Sequence, residues 1–465
     1  MATELSRRAF LHNVALGMGA LTLAACAPAA PTASDSGAAA PASTGGDPVP
    51  ALLRAGSGEE DFFNKVIDIF EQKNPEIKIN RVFAPGGSDY ITKLDLMIAG
   101  GDPPAIYAPF SSRGYRYYAA RGLSQELDDL VARDNMKLDD FHADGMKGCH
   151  WNGKLCALPL DLWPHVIFYN KTLFKEAGVE APPTDWNDKS WTYDALREKA
   201  KALTKTEGDT TTQFGVSFVF DNWPTGWLFG GDWFPKDTYE KGVIEQFTGD
   251  TDEKTLAAVQ WFADLMLKDK VAPTPAQSQQ LQSGVSTPFF MTGKVAMELG
   301  NIGSLSQYAS IKDFEWGTAA LPFPPDGSDR HMHVWIDFWS MIKGVKNLEG
   351  SWQFLKFMVS EEAQKIYPCE YGPQSALGSL GQYWIDLQKK TLPNMSDAEM
   401  AVLTDAPKYE QIDPENWTVN MSIVNDQALQ PALQRIRLGE GSAKDIISQA
   451  APDIRKAIDE SKTIS

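Results

Sequence analysis

Trp223, Trp227 and Trp233 fall in a stretch dense in Gly, Pro and Asp, and Trp335 and Trp339 flank Asp337. An indole face beside a carboxylate suits a ring that is apolar on one side and edged with hydroxyls, which describes a sugar. Burying roughly 80 Å² of such a face is worth about 2 kcal/mol at ~25 cal/mol per Å². Two or three stacked rings with hydrogen bonds then reach the roughly 8 kcal/mol of a micromolar complex, before the cost of ordering them. The same side chains also fill cores. Trp261 and Trp352, at helical spacing among Leu and Phe, are read as core, and the loop tryptophans as lining a groove. Trp335 and Trp339, four apart in a strand, share a face, so one can stand behind the other.

Other side chains are candidates by position. Asp161 follows Leu158-Pro159-Leu160, with Trp163 two residues on; its alternative is a solvated hinge carboxylate. Ser111, Ser112 and Arg113 follow an apolar strand, where hydroxyls and a guanidinium can fork to sugar oxygens. Ser57 lies in the loop after the first strand, Asn301 follows the Val295–Leu299 strand, and Tyr371 precedes Gly372. Catalytic signatures are missing. No Gly-x-Ser-x-Gly or phosphate-loop run occurs, and 61 carboxylates guarantee chance acidic pairs near any groove. His331 and His333 lack a third ligand, so no metal and no cofactor is expected. The alternatives to a binding protein are a secreted polysaccharide hydrolase and a surface lipoprotein without transport.

These residues need a scaffold of some size. The chain has 465 residues with 43% hydrophobic and 22% charged content, which suits two folded lobes. A net charge of −18 argues against nucleic acid, which selects clustered Lys and Arg. Four cysteines are too few for a disulfide scaffold. The N-terminus reads Ser6-Arg7-Arg8-Ala9-Phe10-Leu11, then an apolar run from Val14 to Ala25, then Cys26. A basic start before a short apolar run is a secretory signal. The arginine pair resembles a twin-arginine export signal, and Leu23-Ala24-Ala25-Cys26 resembles a lipobox acylated on Cys26. Residues 27–48 contain only Ala, Pro, Ser, Gly, Thr and Asp, so they cannot pack and read as a tether above a membrane.

Strand and helix signals alternate from residue 49. A strand at Val49–Arg54 precedes a helix over Glu59–Gln72 carrying Phe62, Phe63, Val66, Ile69 and Phe70 on one face. Ile77, Ile79 and Arg81 alternate as a strand, Asp89–Ala99 is a second helix ended by Gly100-Gly101, and Ala105-Ile106-Tyr107 is a third strand. This rhythm predicts an α/β fold with a mainly parallel sheet, whose ligands sit beyond the carboxyl ends of the strands. Loops 55–59, 86–89 and 108–115 then share one rim. Asp250 and Glu253 predict a helix start, and the last helices are expected near Gln427–Leu438 and Ala443–Ser461.

The order of several fragments resembles the family 1 extracellular solute-binding proteins, the maltose-binding-protein-like receptors of ABC importers. They are Phe70-Glu71 with Asn74-Pro75-Glu76-Ile77-Lys78-Ile79, and Ile98-Ala99-Gly100-Gly101-Asp102-Pro103-Pro104. Trp151 to Pro159 and Phe168-Tyr169-Asn170-Lys171-Thr172-Leu173-Phe174 follow. Phe290 to Met297 and Ser351 to Phe357 complete the set, and the resemblance spans about residues 50–460. It departs at Pro104-Ala105 and at 335–339, Trp-Ile-Asp-Phe-Trp, near the cleft, so no relative's sugar specificity carries over.

The resemblance implies a two-lobed periplasmic-binding-protein-like fold with a carbohydrate held between lobes. Permease subunits of an ABC importer would be the partners of a monomer anchored by lipid. The implied division is 1–25 signal, 26–48 lipidated Cys and tether, 49–162 with 292–338 as lobe 1, and 163–291 with 339–465 as lobe 2. Chain crossovers are expected near 160–165, 286–296 and 335–342. Asp161 stands where the family often reaches its ligand.

One further expectation concerns Cys149 and Cys156. Asn152-Gly153 is a tight hairpin signal, and counting outward pairs Trp151 with Lys154, His150 with Leu155 and Cys149 with Cys156. Directly opposed residues lie within disulfide reach. The alternative is two separate buried thiols.

Overall fold

A computed structural model describes residues 46–462 except 57, 109–112, 220–222, 282–288, 331, 410 and 413–416. The signal, Cys26, Ser57, Ser111, Ser112 and His331 lie outside the described residues. The helix Glu59–Lys73 buries Phe63, Val66, Ile67 and Phe70, a three- and four-residue spacing that lays one stripe on a sheet. The helix Ser88–Ala99 does the same with Tyr90, Ile91 and Leu94. The strands these helices connect, β1 (Val49–Ala55), β2 (Ile79–Pro85) and β3 (Ile106–Tyr107), pair in parallel about β1. The expected β-α-β-α-β opening is therefore present.

A small antiparallel hairpin follows, β4 (His150–Trp151) and β5 (Lys154–Leu155), in the expected register about Asn152-Gly153, whose φ values are both positive. Next come β6 (Ala157–Trp163), β7 (His165–Asn170), β8 (Lys205–Glu207), β9 (Thr210–Phe218), β10 (Val295–Asn301), β11 (Trp316–Ala319), β12 (His333–Met341), β13 (Gln374–Ser375) and β14 (Gln411–Ile412). One sheet runs β13-β6-β12-β3-β1-β2, with β14 on β12; the other runs β11-β7-β10-β9-β8. Each sheet carries helices, and together they form the two-lobed α/β architecture.

The chain leaves the first sheet between Trp163 and His165, and returns between Ala319 and His333. The crossover expected near 286–296 is not found among the described residues, since β9 and β10 lie in one sheet. β10 pairs in parallel with β9 and antiparallel with β7, and Val295–Gly300 are all buried, as a central strand requires. Residues 295–319 thus belong to the second sheet rather than to lobe 1. Conversely, β12 stays in the first sheet to Met341, and the helix Leu348–Met358 packs against that sheet and the helix Glu59–Lys73. A separate hydrophobic cluster joins 223–234 to the helices Glu253–Leu267, Gln430–Arg437 and Ala443–Ser461. Among the described residues no helix is long and apolar enough to cross a membrane.

Candidate functional site

β6 and β12 pair antiparallel with Trp163 opposite Trp335 and Asp161 opposite Asp337. Side chains two apart on a strand share a face, so these four stand together, while Leu160, Leu162 and Ile336 turn into the core. Asp161 is fully buried, and its Oδ1 accepts a 2.8 Å hydrogen bond from Trp163 Nε1. Ser375 of β13 lies opposite Asp161 on the other side.

Arg54, at the end of β1, reaches the same place. Its Nε donates to both oxygens of Glu59 at 2.7 Å, Nη2 donates to the Tyr367 hydroxyl at 3.2 Å, and Nη1 is 3.8 Å from Asp337 Oδ2. Its guanidinium carbon stands 5.8 Å from the Trp163 ring centre. Tyr367 donates in turn to Glu59 at 2.9 Å and stacks on Tyr371. Tyr371 meets Phe62 edge-on at 5.6 Å and Trp163 at 6.3 Å.

Trp163 touches both lobes. A Cβ on Gly303, just past β10, would lie 2.4 Å from Trp163 Cζ3, so only glycine lets the ring pack there. Asn301 shapes that turn, its Oδ1 accepting from the Gly303 N–H at 2.9 Å. Trp335 meets the buried His165 edge-on at 5.2 Å.

The electrostatics follow from burial. Burial, then the neighbouring Asp337, pushes Asp161 well above the usual carboxylate range. Burial lifts Asp337 to about 6, against the pull of Arg54. Burial works against the Arg54 charge, but Tyr367, Glu59 and Asp337 outweigh it and hold the guanidinium protonated. Two carboxyls facing each other across a ladder with one shared cation nearby do not both ionise freely.

The candidates thus divide. Asp161, Trp163, Trp335, Asp337 and Tyr371 converge, with Asn301 beneath them. Trp223, Trp227 and Trp233 do not join them: all three are at most 1% exposed. Trp233 stacks on Phe247 and donates to the Trp223 carbonyl, Trp223 and Trp227 meet edge-on, and all belong to one hydrophobic cluster with the helix Glu253–Leu267 and the terminal helices. The expectation that they line a groove is corrected, because their faces are already covered by core. Trp339 is likewise buried, against Phe63. Arg113 is held by Asp95 at 2.5 Å and lies over Tyr117. Cys149, Cys156 and Cys369 are buried free thiols. Cys149 caps the helix Ala143–Gly148 in a helical conformation; its carbonyl still accepts from the Cys156 N–H at 2.9 Å, yet the two thiols are unbridged.

Sequence reasoning missed Arg54, Glu59, Tyr367 and Gly303. Arg54 was reachable, since it ends the first parallel strand, where ligands of such sheets bind. Tyr367 carried no signal, lying 308 residues from the glutamate it contacts.

A family model described as bacterial extracellular solute-binding protein matches residues 55–365. A maltooligosaccharide ABC transporter solute-binding lipoprotein of Streptococcus pneumoniae is 23% identical over 328 residues, 70% of this chain and 72% of that protein. An arabinooligosaccharide-binding protein of Bacillus subtilis is 25% identical over 318 residues, 66% of this chain and 68% of that one. An ABC substrate-binding protein of Listeria monocytogenes, solved with cycloalternan, superposes with a TM-score of 0.73 at 20% identity, covering 88% of this chain and 98% of its own. These relatives are binding proteins, not enzymes.

Proposed function

Because the chain belongs to the bacterial extracellular solute-binding protein family, we propose that it is the receptor of an ABC importer, capturing a sugar between its lobes and delivering it to membrane permease subunits. The observation that carries this reading is the shared face of β6 and β12. It sets partly exposed Trp163, Trp335 and Tyr371 beside Asp337 and Arg54, where the two sheets meet. Indole and phenol faces take the apolar side of a ring, and the charged groups take its hydroxyls. Relatives named for maltooligosaccharides and arabinooligosaccharides support a carbohydrate ligand. Asp161 holds the Trp163 indole in place through its Oδ1. Ser57, Ser111 and Ser112 are proposed as further hydroxyls on their sequence position beyond β1 and β3.

Closure turns on the chain crossings beside Pro164 and between β11 and β12, which end on the same residues that would hold the ligand. A thermal-shift screen over neutral oligosaccharides tests the reading, since a ligand at 100 times its Kd adds about 2.7 kcal/mol. Saturable shifts with sugars are expected; shifts with only amino acids, metals or peptides would defeat it. We further propose export by the twin-arginine signal, lipid on Cys26 and a monomeric receptor on the cell membrane. Intact mass of the mature protein checks the anchor: an unacylated chain starting elsewhere than Cys26 would exclude it.

A further inference from the structure

Three carboxylates and one guanidinium meet at the base of this site. Glu59 and Asp337 are 3% and 9% exposed and Asp161 is 0% exposed, so none is screened as a surface group would be. Arg54 is not a free cation awaiting an anion: Glu59 takes its Nε and Nη2, Tyr367 shares Nη2, and Nη1 faces Asp337. Asp161 Oδ1 is held by the Trp163 indole and lies 3.4 Å from the Asp337 backbone N–H. Its Oδ2 is buried with no hydrogen-bond partner among the described residues. A buried carboxyl oxygen left without a partner on the strand face that carries Trp163, Trp335 and Asp337 is suited to a polar group from outside the chain. The rings around it point the same way, because the faces of indole and phenol are negative and attract cations. The whole chain, at −18, adds to this field.

We infer that the Asp161–Asp337 pair is a charge filter. It accepts sugars that present hydroxyl donors or a protonated amine to it, and rejects sugars that present a carboxylate or phosphate there. This rests on the sugar-receptor reading and adds the ligand's charge class to it. An anionic sugar would enter a buried site with more carboxylates than cations, with no free guanidinium to meet it. An ammonium would replace the proton the pair otherwise shares and would lie against aromatic faces.

The test is a calorimetric titration of the mature protein at pH 7 with β-1,4 trisaccharides of one length: cellotriose, its amino counterpart from deacetylated chitin, and its uronate counterpart. Maltotriose and a trigalacturonate extend the set to α linkage. The neutral or amino member of a series is expected to bind at least about tenfold more tightly than the uronate. A uronate that binds as tightly as its neutral counterpart, or more tightly, overturns the filter while leaving the sugar reading intact. Absence of binding by every sugar overturns the reading and the filter with it. Asp337→Asn should narrow the neutral-to-uronate ratio by at least about threefold. Glu76→Gln, an exposed change of equal charge, should leave the ratio unchanged. Equal narrowing by both would assign the discrimination to net charge and overturn the local assignment.

Discussion

Asp337 faces Asp161, Arg54 and Glu59 from a buried position, and its carboxyl is lifted to about 6. An unfolded aspartate titrates near ~4. Between these values the folded chain holds a proton that the unfolded chain has lost, so ionisation costs the folded state and stability falls as pH rises through that window. Asp337→Asn removes the cost. Its ligand-free Tm at pH 7 should rise by an amount equivalent to about 1–3 kcal/mol, and the decline between about pH 4 and 6 should flatten. Unfolding scans across this range check both. The tryptophans separate by the same logic of burial. Trp227→Ala should cost about 3–5 kcal/mol of stability with ligand affinity unchanged. Trp163→Ala should cost about 1–3 kcal/mol of binding with a smaller effect on stability. Paired unfolding and binding measurements distinguish the two.

Elements decide where such side chains end up. Gly303 follows β10 and lies beneath the Trp163 ring, so an added methyl must displace that ring or the turn. Gly303→Ala is expected to shift tryptophan fluorescence and weaken ligand binding about tenfold, a misplacement effect rather than a lost contact. Unchanged affinity would remove Trp163 from the ligand's wall. In the β4–β5 hairpin the turn pair sets the register, but the preceding helix decides Cys149, which it keeps helical. Thiol counting on the denatured, non-reduced chain beyond residue 48 should give three; one would restore the bridge. The helix at Glu253 begins at Asp252, whose carboxylate accepts from the Thr255 N–H, while Asp250 holds Arg455 instead.

At the scale of the molecule, the crossings between sheets join the lobes close to the proposed ligand site. Arg116 ties the segment after β14 to the region before the hairpin, donating to the Trp417 carbonyl and lying over the Trp417 ring. Ligand should raise the Tm and reduce the radius of gyration in small-angle scattering. A thermal shift without compaction would mean that ligand binds an already closed form. The tether and anchor act outside this body, so Cys26→Ala should mislocalise the protein while leaving its unfolding curve unchanged.

The local pattern of side chains was enough for the alternating elements, because helix and strand periodicities are written in neighbouring residues. The faces of Glu59–Lys73 and Ser88–Ala99, the hairpin turn and the last helix all belong to that class. Asp161, Trp163, Trp335, Asp337 and Tyr371 were visible as polar or aromatic residues at strand ends and loops. Whether a tryptophan near glycine and proline faces a ligand or a core depends on what packs over it. For Trp223, Trp227 and Trp233 that covering comes from Phe247 and the helix Glu253–Leu267, joined in one cluster by helices about two hundred residues later in the chain. The β10 pairing and the Arg54–Glu59–Tyr367 network were likewise settled by long-range contacts. Only the tertiary structure could decide them, because burial and charge pairing are properties of the packed neighbourhood, not of the residue type.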